Sequence, residues 1–244
     1  MTVITISRQY GSFGDVLAER VAKTLGCHLV DKAFISAVLR QYGIAEFDLE
    51  YEKQPGFWDG FDVEKSERRD LIVRMLNLVV RTVARHGNVV VLGRSGYAIL
   101  SGLSDVLHVR LQAPLDDRIA AISAEQGISL DAAMALVKEK DKIRTAFVES
   151  FYRVPWANSS SFDLAINAAL VPLDTATAWV IEAAKLRSTI VDKGPTISSD
   201  RAAHLFRMDR YPQTATIVAD AAFGNDRECP ARVSRGGSRS SSAA

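Results

Sequence analysis

The chain has 244 residues, of which 48% are hydrophobic and 24% charged, with a formal net charge of +1. That size and balance suit one α/β domain with appendages, and they leave composition with no argument for a nucleic-acid or membrane surface as partner. No apolar run approaches the ~18–20 residues of a membrane span, and Cys27 and Cys229 lie far apart without metal-ligand spacing, which excludes a disulfide framework and points to a reduced, cytoplasmic compartment. Met1-Thr2-Val3-Ile4 opens at once as strand-like sequence, so no leader peptide is expected.

Val3 to Ile6 reads as a buried parallel strand that feeds Ser7-Arg8-Gln9-Tyr10-Gly11-Ser12-Phe13-Gly14-Asp15. The helical spacing of Val16 to Leu25 follows and is stopped by Gly26. A strand, a tight glycine loop and a helix form the layout of a phosphate-binding loop, in which clustered N–H groups and the positive helix end face an anion. The lysine of G-x-x-x-x-G-K-[ST] is missing, because Gly14 and Asp15 occupy those places.

His28-Leu29-Val30 is a short second strand that delivers Asp31 to a helix over Lys32 to Tyr42. Residues 44–62 are irregular and acidic, and Pro55 to Gly60 read as a loop in which Phe57 and Trp58 cover a core edge or clasp a base. A long amphipathic helix follows from Glu64 to His86. Val89 to Leu92 is a buried strand running into Gly93-Arg94-Ser95-Gly96, and Val106 to Leu111 is the next strand, running into Ala113-Pro114. Helices are expected over Leu115 to Gln126 and, capped by Ser129, from about Leu130 to Phe151. Phe162 to Asn167 is the last strand, and Asp174 to Leu186 the closing helix. Beyond Arg187 the pattern fades, and residues 232–244 are low-complexity and expected to be disordered.

Alternating strands and helices joined by short loops predict a parallel sheet covered on both faces, with ligands at the carboxyl ends of the strands. Ser7–Gly14, Asp31, Gly93-Arg94 and Ala113-Pro114 all fall at such ends.

These stretches occur in the order found in the cytidylate kinase-like family, a divergent branch of the nucleoside monophosphate kinases: Ile4 to Ser12, Gly93 to Leu100, His108 to Leu111 with Ala113-Pro114 and Arg118, Asp141 to Arg144, and Phe162 to Asn167. The resemblance covers roughly residues 2–187. It implies a three-layer P-loop kinase-like α/β fold over residues 1–187, with a helical monophosphate-binding segment at 31–86 and a helical lid at 127–158. Residues 188–231 would be an irregular extension. The implied reaction is phosphoryl transfer from ATP, with Mg²⁺, to CMP, dCMP or a related monophosphate, a small-molecule nucleotide. The metal ligands and the oligomeric state are left open.

Transfer of this kind needs positioning and positive charge more than covalent work by the protein. By the resemblance, Ser7, Tyr10, Gly11, Ser12, Phe13, Gly14 and Asp15 hold the ATP phosphates. Arg8 takes over charge from the absent lysine, and Arg118 and Arg144 close on the transferring group. Arg94 holds the acceptor phosphate, while Asp31 touches the acceptor or its metal shell. The ordinary alternatives are ion pairs for Arg118 and Arg144 with Asp117 and Asp141, and a helix cap for Asp31. Asp163 is expected to anchor a turn, Tyr10 and Phe13 to pack, and Trp156 to close the lid against the body. Three departures stand out: Phe13 replaces a loop glycine where a positive φ is wanted, Asp15 puts a negative charge at the helix start, and Ser95 stands where cytidylate kinases carry an aspartate. A catalytically impaired nucleotide-binding or regulatory protein on the same fold is the alternative function.

Overall fold

A computed structural model of the chain describes residues 2–44, 63–187 and 194–197. The expected loop at Pro55 to Gly60, nearly all of the extension and the 232–244 tail lie outside those residues.

Five short runs rich in Val, Ile and Leu form one sheet: β1 (Val3–Arg8), β2 (His28–Val30), β3 (Val89–Leu92), β4 (Val106–Gln112) and β5 (Leu164–Asn167). Every pairing is parallel, and the spatial order is β2-β3-β1-β4-β5. Val3 lies opposite both Val89 and Val106, so β1 is central and ends between the ends of β3 and β4. The chain crosses from one side of β1 to the other there, which is where doubly wound sheets open a crevice for ligand.

Among the described residues the α-helices are α1 (Gly14–Leu25), α2 (Lys32–Gln41), α3 (Val63–His86), α4 (Gly96–Ile99), α5 (Leu115–Gln126), α6 (Leu130–Tyr152) and α7 (Leu173–Arg187). Successive strand residues point to opposite faces, so both faces need cover. Ile4, Ile6, Val90, Leu92, Val109 and Leu111 pack under α1 and α7. Val3, Val89 and Val91 pack under α2, α3 and α4. A separate apolar cluster of Ile119, Ile122, Ala133 and Val137 joins α5 to α6, with Tyr10 packed against it.

The structure carries β1 on to Arg8, two residues past its expected end at Ile6, and corrects the expected boundaries in three further places. First, α1 begins at Gly14 rather than Val16, because Phe13 takes a left-handed conformation (φ 59°, ψ 22°) and turns the chain into the helix two residues early. Phe13 is half exposed, so it does not pack as expected, and it adopts the positive φ that its bulk disfavours. Second, β5 begins at Leu164, since a 3₁₀ turn over Ser159–Ser161 ends at Phe162 and Asp163 serves as the anchor expected of it. One Asp163 carboxylate oxygen accepts from the His108 N–H at 2.8 Å and the other pairs with Arg187 at 2.9 Å. Third, the Gly93–Gly96 stretch ends in a short helix, α4, instead of remaining loop throughout. Past α7 the chain returns to the sheet, where Ile197 is buried in the core and its N–H reaches both Asp105 oxygens.

Candidate active site

The loop after β1 is stitched to its neighbour by backbone. Gln9 N–H donates to Leu111 O at 3.1 Å, Gln9 Oε1 accepts from Ala113 N–H at 3.0 Å, and the Ser12 hydroxyl donates to Gln9 O at 2.8 Å. Gly11 has φ +82°, and a Cβ there would stand 2.9 Å from Arg118 O, so both conformation and space demand glycine. The start of α1 has no side-chain cap. Among the described residues, none accepts a hydrogen bond from the N–H groups of Gly11, Phe13, Gly14, Asp15 or Val16. Those donors and the positive helix end converge on a cavity of about 140 Å³, lined by the loop from Arg8 to Val16, by α5 residues including Ile122 and Gln126, and by Arg144. Phe13 lines this opening without filling it, since its ring is half exposed.

Asp141 on α6 braces the loop. Its carboxylate accepts from Tyr10 N–H at 2.9 Å and from Arg118 at 2.6 Å, with Arg144 3.7 Å away. Arg118 is buried and also donates to Ala113 O and Tyr10 O. It is therefore turned inward as a strut, and it lines neither of the two cavities at the strand ends. The resemblance had it closing on the phosphoryl group; here its guanidinium is engaged by three oxygen partners, Ala113 O, Tyr10 O and Asp141.

A second cavity, of about 110 Å³, opens beyond the ends of β1 and β3. Arg8, Lys32, Arg94, Lys140 and Arg144 line it together with Ser7, Ser95, Tyr97 and Trp156, and among the described residues no Asp or Glu does. Gly93, Arg94 and Ser95 have φ of 66°, 49° and 58°, an unusual run of left-handed residues for a chain in which only one is glycine. Such strain concentrates at functional sites, and here it turns buried Arg94 toward the cavity. The Ser95 hydroxyl is buried with no hydrogen-bond partner among the described residues, an orphaned group in a cavity wall.

Arg8 and Arg144 are the two residues common to both linings. The Arg8 side chain runs over two glycines: a Cβ on Gly14 would be 2.5 Å from Arg8 Cβ, and one on Gly93 would be 1.9 Å from an Arg8 guanidinium nitrogen. Its guanidinium bonds Asp15 at 3.1 and 2.9 Å, so the acidic residue at the helix start orients the arginine. Arg144 donates to Arg8 O at 3.1 Å, and its guanidinium lies 5.4 Å from the Tyr10 ring centre.

The structure thus places Arg8, Tyr10, Gly11, Ser12, Phe13, Gly14, Asp15 and Arg144 around the loop cavity, and Ser7, Arg8, Arg94 and Arg144 around the second. Ser7 belongs to the second cavity rather than to the loop's own. Asp31 caps α2, its carboxylate accepting from Phe34 N–H at 2.8 Å, and it is its neighbour Lys32 that lines the cavity. Trp156 is buried against Tyr97 and Val148, where the end of the α6 segment meets the body. Sequence reasoning missed Lys32, Lys140, the bracing role of Asp141 and buried Arg110. The i,i+3 spacing of Asp141 and Arg144 was a local signal, but nothing local announces a bond from residue 141 to residue 10.

A parallel sheet with its glycine loop at the switch point, and two cavities bridged by arginines, defines the P-loop kinase-like class of α/β proteins. The model of the cytidylate kinase-like family matches residues 3–169, and the chain belongs to that family, whose function is nucleotide kinase-like. It is 27% identical over 172 residues to a cytidylate kinase of Ignicoccus hospitalis, an alignment spanning 70% of this chain and 92% of that protein. It is 26% identical over 175 residues to a cytidylate kinase of Pyrobaculum calidifontis, across 71% of this chain and 88% of the other. Among solved structures, an uncharacterized protein from Eubacterium ventriosum shares the fold with a TM-score of 0.58 and 20% identity, over 76% of this chain and 99% of that one.

Proposed function

We propose that the chain is an ATP-dependent kinase of a nucleoside monophosphate, CMP, dCMP or a related one, with the loop cavity as donor site and the cationic cavity as acceptor site. The observation that carries this reading is that Arg8 and Arg144 line both cavities, so positive charge stands where a phosphoryl group would pass between them. In this reading residues 31–86 form the acceptor segment and residues 127–158 the lid.

The residues fit the implied ligands. Five loop and helix N–H groups that find no acceptor among the described residues suit a polyphosphate, and a lining whose described charged residues are all cationic suits an acceptor phosphate. Among the described residues no cluster of three His, Cys, Asp or Glu side chains is present. Mg²⁺ bound mainly through phosphates needs only one or two carboxylates, and Asp15, 65% exposed at the loop mouth, and Glu125 of α5 both line that cavity. When bound, ATP supplies the transferable phosphoryl group and Mg²⁺ neutralises charge on it.

The protein's part is positioning. The loop amides hold the donor phosphates, and Asp141 keeps the loop's shape by fixing Tyr10 and Arg118. Arg144 and Arg8 offset charge developing between donor and acceptor, with Arg8 replacing the missing lysine. Lys32, Lys140 and Arg94 hold the acceptor phosphate. The Ser95 hydroxyl can donate or accept, so selection for cytosine by a carboxylate is not expected at that position. Following ADP formation with CMP, dCMP and the other monophosphates tests the proposal; no turnover above background ends it.

A second reading is a protein that binds nucleotide without transferring phosphate. The contact between Arg8 and Asp15 favours it, because a carboxylate then already engages the lysine substitute. Calorimetry with ATP and CMP separates the two: binding without turnover selects the second reading. Unchanged affinity and rate in Arg8→Ala would exclude Arg8 from either role.

A further inference from the structure

Arg110, in the middle of β4, is 2% exposed. Its guanidinium carbon lies 4.2 Å from the Trp156 ring centre and 5.4 Å from that of Phe162. One terminal nitrogen donates to Ser7 Oγ at 3.1 Å, Nε has no acceptor, and among the described residues no carboxylate pairs with it. Burial pulls its pKa below the usual arginine value, with Tyr97 and then Asp141 opposing that shift. A buried charge without a counter-ion is destabilising, and aromatic faces compensate it only in part.

The direction of the guanidinium supplies a reason for keeping it. Ser7 and Trp156, the two residues it touches on that side, both line the acceptor cavity. A hydroxyl has one proton to donate. Ser7 Oγ accepts from Arg110, which leaves its own proton available to an acceptor in the cavity that Ser7 lines. The cation behind then strengthens that hydroxyl as a donor.

We propose that the Ser7 hydroxyl, backed by Arg110, anchors an anionic oxygen of the acceptor, a phosphate oxygen in the kinase reading on which this inference rests. Arg110 is a positioning residue, and its buried charge is balanced by the bound anion rather than by a protein carboxylate.

The test is thermal unfolding of the full chain with and without inorganic phosphate, for the parent, Arg110→Met and Ser7→Ala, together with acceptor and ATP kinetics. The parent is expected to melt higher in phosphate. Arg110→Met is expected to melt at or above the ligand-free parent and to lose the phosphate-dependent rise. Its KM for the acceptor should increase about tenfold, as for loss of one charge-assisted hydrogen bond, with KM for ATP unchanged. Ser7→Ala, which leaves the Arg110 stacking intact, should also lose most of the rise. A lower ligand-free melting temperature in Arg110→Met with the full phosphate effect retained would make Arg110 purely structural and overturn the proposal. Should Arg110→Met fail to fold, an undiminished phosphate effect in Ser7→Ala overturns it equally. No phosphate effect in the parent also overturns it. An effect that depends on Ser7 and Arg110, with no turnover on any monophosphate, supports this anion site and ends the kinase reading alone.

Discussion

The glycine-loop cavity and the cationic cavity lie side by side at the ends of β1 and β3, yet they are made of different materials. The loop presents backbone N–H groups, and its shape comes from Gly11, a left-handed Phe13 and the carboxylate of Asp141. The cavity presents side chains, five of them cationic, brought from β1, α2, the end of β3 and α6. A surface of main-chain amides tolerates side-chain change so long as the dihedral angles are kept. That is why Phe13 can stand at a glycine position, its ring directed outward, without closing the opening. A surface of side chains has no such tolerance, because each charge is one residue's contribution.

The largest way to break this contrast is at Asp141, the point where a side chain controls the backbone site. Asp141→Ala leaves Arg118 and Tyr10 N–H without their partner. With both ionic side chains well buried, the expected loss is about 3–5 kcal/mol of folding stability, read by urea unfolding, together with loss of turnover. Asp141→Asn, which keeps an acceptor for Tyr10, should fall in between.

Arg144→Ala tests the bridge between the regions. If charge offered to both cavities is its main role, kcat falls about 10²–10³-fold. Stability should fall by only about 1–2 kcal/mol, from the hydrogen bond to Arg8 O and the Tyr10 stack, since the ion pair with Asp141 is long at 3.7 Å. An equal loss of stability would make it a brace like Arg118.

A control comes from His108 on β4, which lines neither cavity. Its Nδ1 lies 2.7 Å from Thr5 Oγ1, and burial, opposed by Asp163 and reinforced by Arg187, pushes its pKa down to about 4. The unfolded chain, with a histidine near pH 6.5, binds the proton more readily. The stabilisation is therefore complete above pH 6.5 and is lost as pH falls toward 4, up to about 3 kcal/mol. His108→Gln should flatten the stability profile across that window and leave phosphate affinity at pH 7.5 unchanged, as calorimetry would show.

The smallest effect is expected at Phe13. Phe13→Gly relieves a left-handed non-glycine residue at the cost of chain entropy, a net gain of about 0.5–1 kcal/mol in thermal unfolding. Nucleotide affinity should not change; a marked drop would show that the ring, and not only the backbone, belongs to the donor site.

Much of this arrangement was legible from residues near one another in the chain. The β-branched runs, the helical spacing of α1, α3 and α7, the Ser129 cap and the Asp163 turn each depend on neighbours a few positions apart, and each is found. The placement of Ser7–Asp15 and Arg94 at strand ends followed from the same local logic. The inward turn of Arg118 was not legible, nor were Lys32 and Lys140 in the cationic cavity or the cation of Arg110 behind Ser7. Those depend on the sheet order, which sets β4 beside β1, and on the register that puts Arg110 opposite Ser7. Periodicity and turn chemistry act over three or four residues and so can be read along the chain. Pairing residue 10 with 141, or 7 with 110, is settled only once the strands are laid side by side and each side chain has one face of the sheet on which to lie.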